Sequence, residues 1–406
     1  MFLTAIFLFC FLCYPGVQAE AFVPQDDVSP DKTHIYNRGT LNNCRIKFER
    51  EKKGRVAFMG GSITEMKGWR EMICEELQRR FPDTEFDFIA AGISSTGTTP
   101  GAFRFERDVL KNGTVDLLFE EAAVNDETNG FNAIEQIRGM EGIIRQARLS
   151  NPDMDIIMLH FIWDEMLDPL ASGKIPEVIQ NHERVAAYYQ VSSIDLASEV
   201  SQRMQDGEFD WKMFGGTHPA PLGHKIYAAT ISRLFDQMWQ QPLPDTARIH
   251  PHLLPPVPMD SFSYYRGRLA DIREARLKHG WKYEPEWIPK LKASTRKGFV
   301  NVPALEALDP GSELYFTFEG TAIGIFNVAG PDAGIIEYSV DGQPFRQKDL
   351  YTKWSRSLYI PWVTMLESEL PDGKHEIVIR TGKQNHPESK GNACQIFYFT
   401  INDRKL

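Results

Sequence analysis

The sequence predicts a doubly wound α/β domain with a parallel sheet, followed by a β-sandwich. Three observations support this prediction. Short apolar runs alternate with helix-like stretches between residues 55 and 234, and a proline-rich break follows at 241–260. Beyond it, the 406-residue chain shows short strand patterns separated by turns. Strand–helix alternation favours a parallel sheet covered by helices, whereas closely spaced strands favour a sandwich.

Five strands of the first domain are predicted from runs of consecutive apolar residues, which are typical of strands buried on both faces of a parallel sheet. Between the first two strands lies a helix with Trp69, Met72, Ile73 and Leu77 on one face, and it ends before Pro82. Two longer helical patterns cover 132–149 and 175–189. The predicted strands are 56–59, Glu85–Ala91, Val115–Ala122, Asp155–Phe161 and Gln190–Ile194.

The second half of the chain is predicted to be β-rich after one short helix at Asp271–His279. Turn signals such as Asp341-Gly342 and Asp372-Gly373 separate several of the strand patterns. The predicted strands are Glu313–Glu319, Ala322–Val328, Ile335–Val340, Leu358–Pro361, Glu376–Arg380 and Gln395–Ile401.

The N-terminus has the pattern of an exported protein. Phe2–Cys13 is apolar apart from Thr4, and Val17-Gln18-Ala19 suits a signal peptidase, so cleavage is predicted after Ala19. An uncleaved anchor is the alternative. No later segment looks like a membrane span, which needs about 20 apolar residues, so a secreted or periplasmic protein is expected. The predicted organisation is a signal peptide at 1–19, an α/β domain at 20–240, an extended linker at 241–260 and a β-rich sandwich at 261–406.

Composition restricts the partners of this chain. Its net charge is −10 and no Lys/Arg-rich block stands out, which disfavours binding to nucleic acid or anionic lipid. After signal removal three cysteines remain, Cys44, Cys74 and Cys394, and no Cys/His cluster has metal-ligand spacing. We therefore predict no metal and no cofactor. A Cys44–Cys74 disulfide and three free thiols both remain open.

Ser62 is the first candidate for chemistry. It follows Gly60-Gly61 directly after the first predicted strand. Two glycines allow a sharp turn that exposes Ser62 at the carboxyl end of the sheet, where open α/β folds bind ligands. The N-terminus of the following helix would favour a developing negative charge there. A tight turn with a helix-capping serine is the alternative.

Three further segments fall where one active site would need them. The loop at 92–99 is rich in small residues, which let backbone N–H groups approach a reacting oxygen. Asn125 follows the third strand and could donate from its side-chain amide. His218 lies in a loop near the end of the domain and could take the Ser62 proton. Each alone is also explained by a flexible loop, a helix cap or a surface histidine, but together they predict nucleophilic catalysis.

This order of motifs resembles the SGNH (GDSL-like) hydrolase family. The motifs are Gly-Gly-Ser-Ile-Thr at 60–64, the small-residue loop, Val-Asn-Asp at 124–126 and Thr-His-Pro at 217–219. The resemblance spans Arg55–Leu234, about half of the chain. It implies a three-layer α/β/α, flavodoxin-like domain that hydrolyses esters.

The resemblance also implies roles for four residues, carried over by position. Ser62 would be the nucleophile, and His218 the general base and then the general acid. The oxyanion hole would comprise the backbone N–H groups of Ser62 and Ser95 together with the side chain of Asn125.

Two positions depart from the family pattern. The family usually has glycine where this chain has Ser95, with Gly97 an alternative in register. The family also places Asp three residues before the catalytic histidine, where this chain has Gly215. Three outcomes are open: a carbonyl of the 215–216 turn holds His218 Nδ1, Asp210 swings in, or the site is impaired. We favour the carbonyl, because a Gly-Gly turn lets the backbone approach the ring.

The sequence therefore predicts an exported serine esterase that acts on carboxylic esters through a Ser62 acyl-enzyme. Its substrate would be a small-molecule or polysaccharide ester. Export and the β-sandwich, together with the habits of similar family members, favour acetyl groups on carbohydrate. A lipase or thioesterase on the same scaffold is one alternative, and a catalytically impaired carbohydrate-binding protein is the other.

Overall fold

The structure, a computed structural model, describes residues 34–111, 113–296 and 298–403. The predicted signal peptide at 1–19 lies outside these residues. Within them an α/β region precedes a region of mainly antiparallel strands. In chain order the last strand of the first region ends at Ile194, and the first strand of the second begins at Gly267. The predicted fold class is confirmed.

A parallel sheet forms the centre of the α/β region. Its strands are β1 Ile35–Tyr36, β2 Lys53–Gly60, β3 Glu85–Gly92, β4 Leu117–Glu121, β5 Asp155–Leu159 and β6 Ser192–Ile194. Their order is β1-β6-β5-β4-β2-β3, and β1 alone is antiparallel to its neighbour. Strands β4 and β5 are buried throughout, as their apolar runs predict. Because β2, β3 and β4 are parallel neighbours, the segments that follow them meet at one edge of the sheet.

Helices cover both faces of this sheet. They are α1 Asn42–Ile46, α2 Ser62–Glu65, α3 Trp69–Arg80, α4 Thr98–Phe105, α5 Ala123–Thr128, α6 Ala133–Ser150, α7 Leu167–Ala171, α8 Glu177–Tyr188, α9 Leu196–Gln205, α10 Trp211–Phe214 and α11 Pro221–Trp239. π-Helical turns at Lys47–Glu51 and Glu106–Leu110 extend α1 and α4, and a 3₁₀ turn at Asp164–Met166 precedes α7. Successive β2 side chains point to opposite faces. Phe58 packs in the core with α3, α9 and α11, and Met59 in the core with α4 and α6.

Two sheets packed face to face form the second region. Its strands are β7 Gly267–Ala270, β8 Arg276–His279, β9 Lys282–Trp287, β10 Ser294–Thr295, β11 Val302–Ala307, β12 Glu313–Gly320, β13 Ala322–Ala329, β14 Ile335–Val340, β15 Arg346–Asp349, β16 Leu358–Glu367, β17 Gly373–Thr381 and β18 Cys394–Asn402. One sheet has the order β10-β16-β13-β18-β11-β9 with β7 paired to β18, and the other β15-β14-β17-β12-β8. Between the sheets the rings of Phe316 and Phe399 stack at 3.9 Å.

The predicted helix at Asp271–His279 is wrong. Ile272–Glu274 is a single 3₁₀ turn, and β8 follows as the edge strand beside β12. All four residues of β8 are exposed, and charged side chains on an edge strand oppose unwanted pairing with other chains. In sequence these charged residues resemble the solvent-exposed face of a helix. The segment forms a strand because it pairs with β12.

The proline-rich segment at 241–260 runs along the α/β region and is fastened to it. Asn43 Nδ2 donates to the carbonyl of His250 (2.8 Å), and His252 Nε2 lies 2.8 Å from Asp155 Oδ1. At its end Asp260 pairs with Arg138 of α6 at 2.8 Å. The segment is therefore anchored along its length.

The three cysteines of the described chain are free thiols. Cys44 and Cys394 are buried and Cys74 is half-buried, so the Cys44–Cys74 disulfide left open by the sequence does not form. A search of the described residues for a helix with the length and apolarity needed to cross a bilayer finds none.

Candidate active site

A glycine turn places Ser62 at the carboxyl end of β2. An ideal Cβ on Gly61 would lie 1.8 Å from Asn125 Oδ1, and one on Gly60 would lie 2.5 Å from Glu121 Oε1. Only glycine therefore lets this turn pass so close to the end of β4. The Gly61 N–H donates to Glu121 Oε1 at 2.9 Å, which fixes the backbone immediately before Ser62.

Two helices follow β2 where the sequence predicts one. Ser62 opens α2, a single turn, and the long helix α3 begins only at Trp69. The N–H of Trp69 donates to His224 Nδ1 at 3.2 Å, so His224, which lies on α11, caps α3. Ser62 therefore lies at the N-terminus of the one-turn helix α2, and the predicted helix that carries Trp69 and Leu77 is α3.

His218 lies next to Ser62, as predicted. The distance from Ser62 Oγ to His218 Nε2 is 2.9 Å, which is hydrogen-bond length. Two contacts hold the loop in place: the Ala220 N–H donates to the Phe214 carbonyl (2.8 Å), and Thr217 Oγ1 donates to Asp164. A hydroxyl in contact with an imidazole is the arrangement that activates a serine nucleophile.

No acid supports His218 from within its own loop. Gly215 has φ +110°, and an ideal Cβ there would lie 2.0 Å from Ala220 N, so the aspartate usual in the family does not fit this backbone. Asp210 caps α10 by accepting the Met213 N–H at 2.7 Å. Among the described residues none accepts a hydrogen bond from His218 Nδ1, so the carbonyl contact favoured from sequence is also missing. The site is a Ser–His dyad.

The pKa of His218 lies below its ordinary value. Partial burial disfavours the charged imidazolium, and the nearby cation of Arg296 acts in the same direction. The imidazole therefore stays neutral, and able to accept a proton, to a lower pH than an ordinary histidine.

Ser95 and Asn125 lie beside the turn that carries Ser62. Ser95 has φ +72°, a left-handed conformation that favours glycine and explains why the family prefers glycine there. Its carbonyl accepts from Asn129 Nδ2 at 3.0 Å. Asn125 packs against Gly61. Among the described residues none accepts a hydrogen bond from its Nδ2, so this amide can donate to a ligand.

Two residues at the site escaped the sequence analysis. Glu121 is buried beneath the glycine turn, where it also accepts from Thr64 Oγ1 at 3.0 Å. Burial raises the pKa of Glu121 to about 7. Arg296 comes from the second region, 201 positions after Ser95, yet donates to Ser95 Oγ at 3.2 Å. Two consecutive acidic residues at the end of β4 were a signal for the first, whereas no sequence pattern marks the second.

The dyad opens into a cleft of about 390 Å³ built by both regions. Its lining comprises Ser62, Glu65, Met66, Ser94, His218, Thr295 and Arg296. In the described part of the chain no three His, Cys, Asp or Glu side chains group as metal ligands. The arrangement can deprotonate a hydroxyl and stabilise an anion beside it.

A family model supports this chemistry. The model of the GDSL-like Lipase/Acylhydrolase family matches residues 58–226. These residues form a GDSL-like lipase/acylhydrolase domain. The family predicted from sequence is thus confirmed for these residues, and it supports a carboxylic ester hydrolase. No curated protein matches the chain in sequence.

Solved structures resemble the chain across both regions. A two-domain esterase (CEX) active on acetylated mannans, co-crystallised with mannopentaose, has a TM-score of 0.74 at 19% identity, over 92% of this chain and 98% of that one. A second structure of that esterase has a TM-score of 0.73 at the same identity and coverage. Axe2, an acetylxylan esterase from Geobacillus stearothermophilus, has a TM-score of 0.36 at 17% identity, over 44% of this chain and 93% of its own. The first two establish a shared two-domain fold.

Proposed function

We propose that the protein is an exported serine esterase that removes acetyl groups from carbohydrate. The observation that carries this proposal is the 2.9 Å contact between Ser62 Oγ and His218 Nε2 in an open cleft of a GDSL-like domain. That contact is what a nucleophile and its general base require.

The first half of the reaction forms an acyl-enzyme. Ser62 Oγ attacks the ester carbonyl while His218 Nε2 takes its proton. Negative charge develops on the carbonyl oxygen, and the backbone N–H groups of Ser62 and Ser95 and the amide of Asn125 donate to it. Collapse of the tetrahedral intermediate breaks the ester C–O bond, and the alcohol leaves with the proton from His218.

Water completes the cycle. His218 takes a proton from a water molecule, whose oxygen attacks the acyl carbon of Ser62. The second tetrahedral intermediate collapses to the free carboxylic acid, and Ser62 Oγ recovers its proton from His218. Because none of the described carboxylates orients the imidazole, we expect slower turnover than in enzymes with a full triad, where that carboxylate is worth about 10⁴ in kcat in a protease.

The proposed substrate is an acetylated polysaccharide. The two-domain esterase that matches the chain over both regions is active on acetylated mannans, and the cleft of this chain is wide open to solvent and bordered by residues of both regions. The apolar stretch at Phe2–Cys13 followed by Val17-Gln18-Ala19 supports export, which would bring the enzyme to extracellular polysaccharide.

One observation favours a second candidate. The missing partner of His218 Nδ1 suits a carbohydrate-binding protein on an impaired hydrolase scaffold. Acetate release from acetylated mannan and xylan by wild type and Ser62→Ala separates the two. We expect release by wild type alone, with little activity on long-chain p-nitrophenyl esters. Equal background rates from both proteins would favour binding, and preference for long-chain esters would favour a lipase.

A further inference from the structure

The second region reaches the dyad through the segment that follows β10. Ser294 and Thr295 form β10, which pairs in parallel with Leu358 and Tyr359 of β16. Thr295 and Arg296 then line the cleft together with Ser62 and His218. The sheet of the second region thus fixes the position of the backbone directly before Arg296.

Arg296 contacts the strained residue of the candidate oxyanion loop. One guanidinium N–H donates to Ser95 Oγ at 3.2 Å, while the Ser95 carbonyl accepts from Asn129 on the opposite side. A non-glycine residue in the left-handed region costs about 1–2 kcal/mol, so the loop at Ser95 depends on surrounding contacts to keep this shape. Two side chains donate to Ser95 itself, and one of them, that of Arg296, comes from the second region.

The guanidinium of Arg296 forms no ion pair with a carboxylate of the described residues. Among the described residues no Asp or Glu lies within ion-pair distance of it, and its buried Nε has no acceptor. The charged groups around the His218 loop are Arg296 and Glu65 in the cleft and Asp164 against Thr217. Glu65 accepts a hydrogen bond from the N–H of Ser94 and forms no ion pair with Arg296, and the positive charge of Arg296 lowers the pKa of His218.

We propose that Arg296 is a positioning residue that makes the second region part of the esterase site. It holds Ser95 so that the backbone N–H of this residue points at the developing oxyanion. This inference rests on the proposed function. It predicts that the second region contributes to the chemical step even for an ester too small to reach beyond the cleft.

The test compares kcat and KM for p-nitrophenyl acetate in Arg296→Gln, Arg296→Lys and wild type. Arg296→Gln should lower kcat about 10-fold or more with KM within about 2-fold, because a loosened oxyanion donor weakens transition-state binding. Arg296→Lys keeps a charged donor and should recover most of kcat. Arg276→Gln, the same change at an exposed position of β8, is the control and should match wild type.

Two further readouts separate positioning from general destabilisation. In Arg296→Gln the acidic limb of kcat/KM should move to higher pH, because the cation no longer depresses the His218 pKa, whereas Arg296→Lys should keep the limb in place. In Ser95→Gly, glycine adopts the left-handed backbone without support, so adding Arg296→Gln should cost less than about 3-fold in kcat.

Several outcomes would overturn the inference. They are an unchanged kcat in Arg296→Gln, a raised KM alone, and a loss of kcat on Arg296→Gln that is equal with and without the Ser95→Gly change. A wild type no faster than Ser62→Ala would instead refute the proposed function, and the inference with it.

Discussion

Replacing Gly215 by Asp restores the aspartate that the family usually has at this position, and the structure predicts that it damages the enzyme. The family pattern alone would predict a gain, because the new carboxylate stands three residues before His218. In the structure, however, Gly215 has φ +110° and an ideal Cβ meets Ala220 N at 2.0 Å. The side chain has no room in which to reach the imidazole.

The expected magnitude has two parts. Left-handed strain in a non-glycine residue costs about 1–3 kcal/mol, which lowers Tm by roughly 5 °C in a domain of this size. To relieve the 2.0 Å contact, Gly215 and Ala220 must move apart by more than about 1 Å, and His218 lies between them. Since a misplacement of about 1 Å can cost 10²-fold in rate, we expect kcat to fall about 100-fold.

Steady-state hydrolysis of p-nitrophenyl acetate and thermal unfolding measure both parts. Gly216→Asp is the matched control. It has φ +79°, and the nearest atom to its Cβ position is 4.0 Å away, so it adds strain without a collision. The control should have a Tm a few degrees below that of wild type and a kcat within about 3-fold of it. A Gly215→Asp enzyme as fast as wild type, or faster, would refute the reasoning.

Three further predictions follow from the site. Asp210→Asn should keep kcat within about 2-fold, because asparagine still caps α10, and a loss of orders of magnitude would make Asp210 the missing acid. Asn125→Ala should lower the kcat for p-nitrophenyl acetate about 100-fold with little change in KM, as for loss of one oxyanion donor; a kcat within about 3-fold would remove Asn125 from that role. The buried Glu121 has its pKa raised from 4.5 to about 7, so the stability it provides is complete below pH 4.5 and is lost as pH rises to about 7. Glu121→Gln should therefore gain up to about 3 kcal/mol relative to wild type over that interval in urea unfolding, and parallel curves would contradict this.

Much of the α/β region was predictable because its signals are local. Apolar runs mark β4 and β5 within about two residues, and the glycines before Ser62 mark a turn that admits no side chain. The short edge strand β1 was missed, because two residues carry no periodicity and its position depends on pairing with β6. The segment that forms β8 was predicted as a helix, because its strand conformation likewise depends on pairing with a distant strand, β12.

The candidate site also contains residues that the sequence predicts and residues that it does not. Ser62 and Asn125 follow two parallel strands of one sheet, β2 and β4, so chain order and parallel topology predict that they meet, and His218 lies in the loop before the last helix of the region. The backbone angles of Ser95 and Gly215 do not follow from the sequence, yet they explain why the family prefers glycine at the first position and why aspartate does not fit at the second. Arg296 was invisible in the sequence, because its place depends on how the second region packs on the first.

Covalent labelling of Ser62 by a fluorophosphonate tests the central claim most directly. The reagent reacts far faster with a serine that a neighbouring base activates than with an ordinary serine, and mass spectrometry of peptides locates the adduct. We expect one adduct, on Ser62, in wild type, and labelling slower by about 100-fold or more in His218→Ala. An adduct on another serine, or labelling of Ser62 that is as fast without His218, would contradict the account.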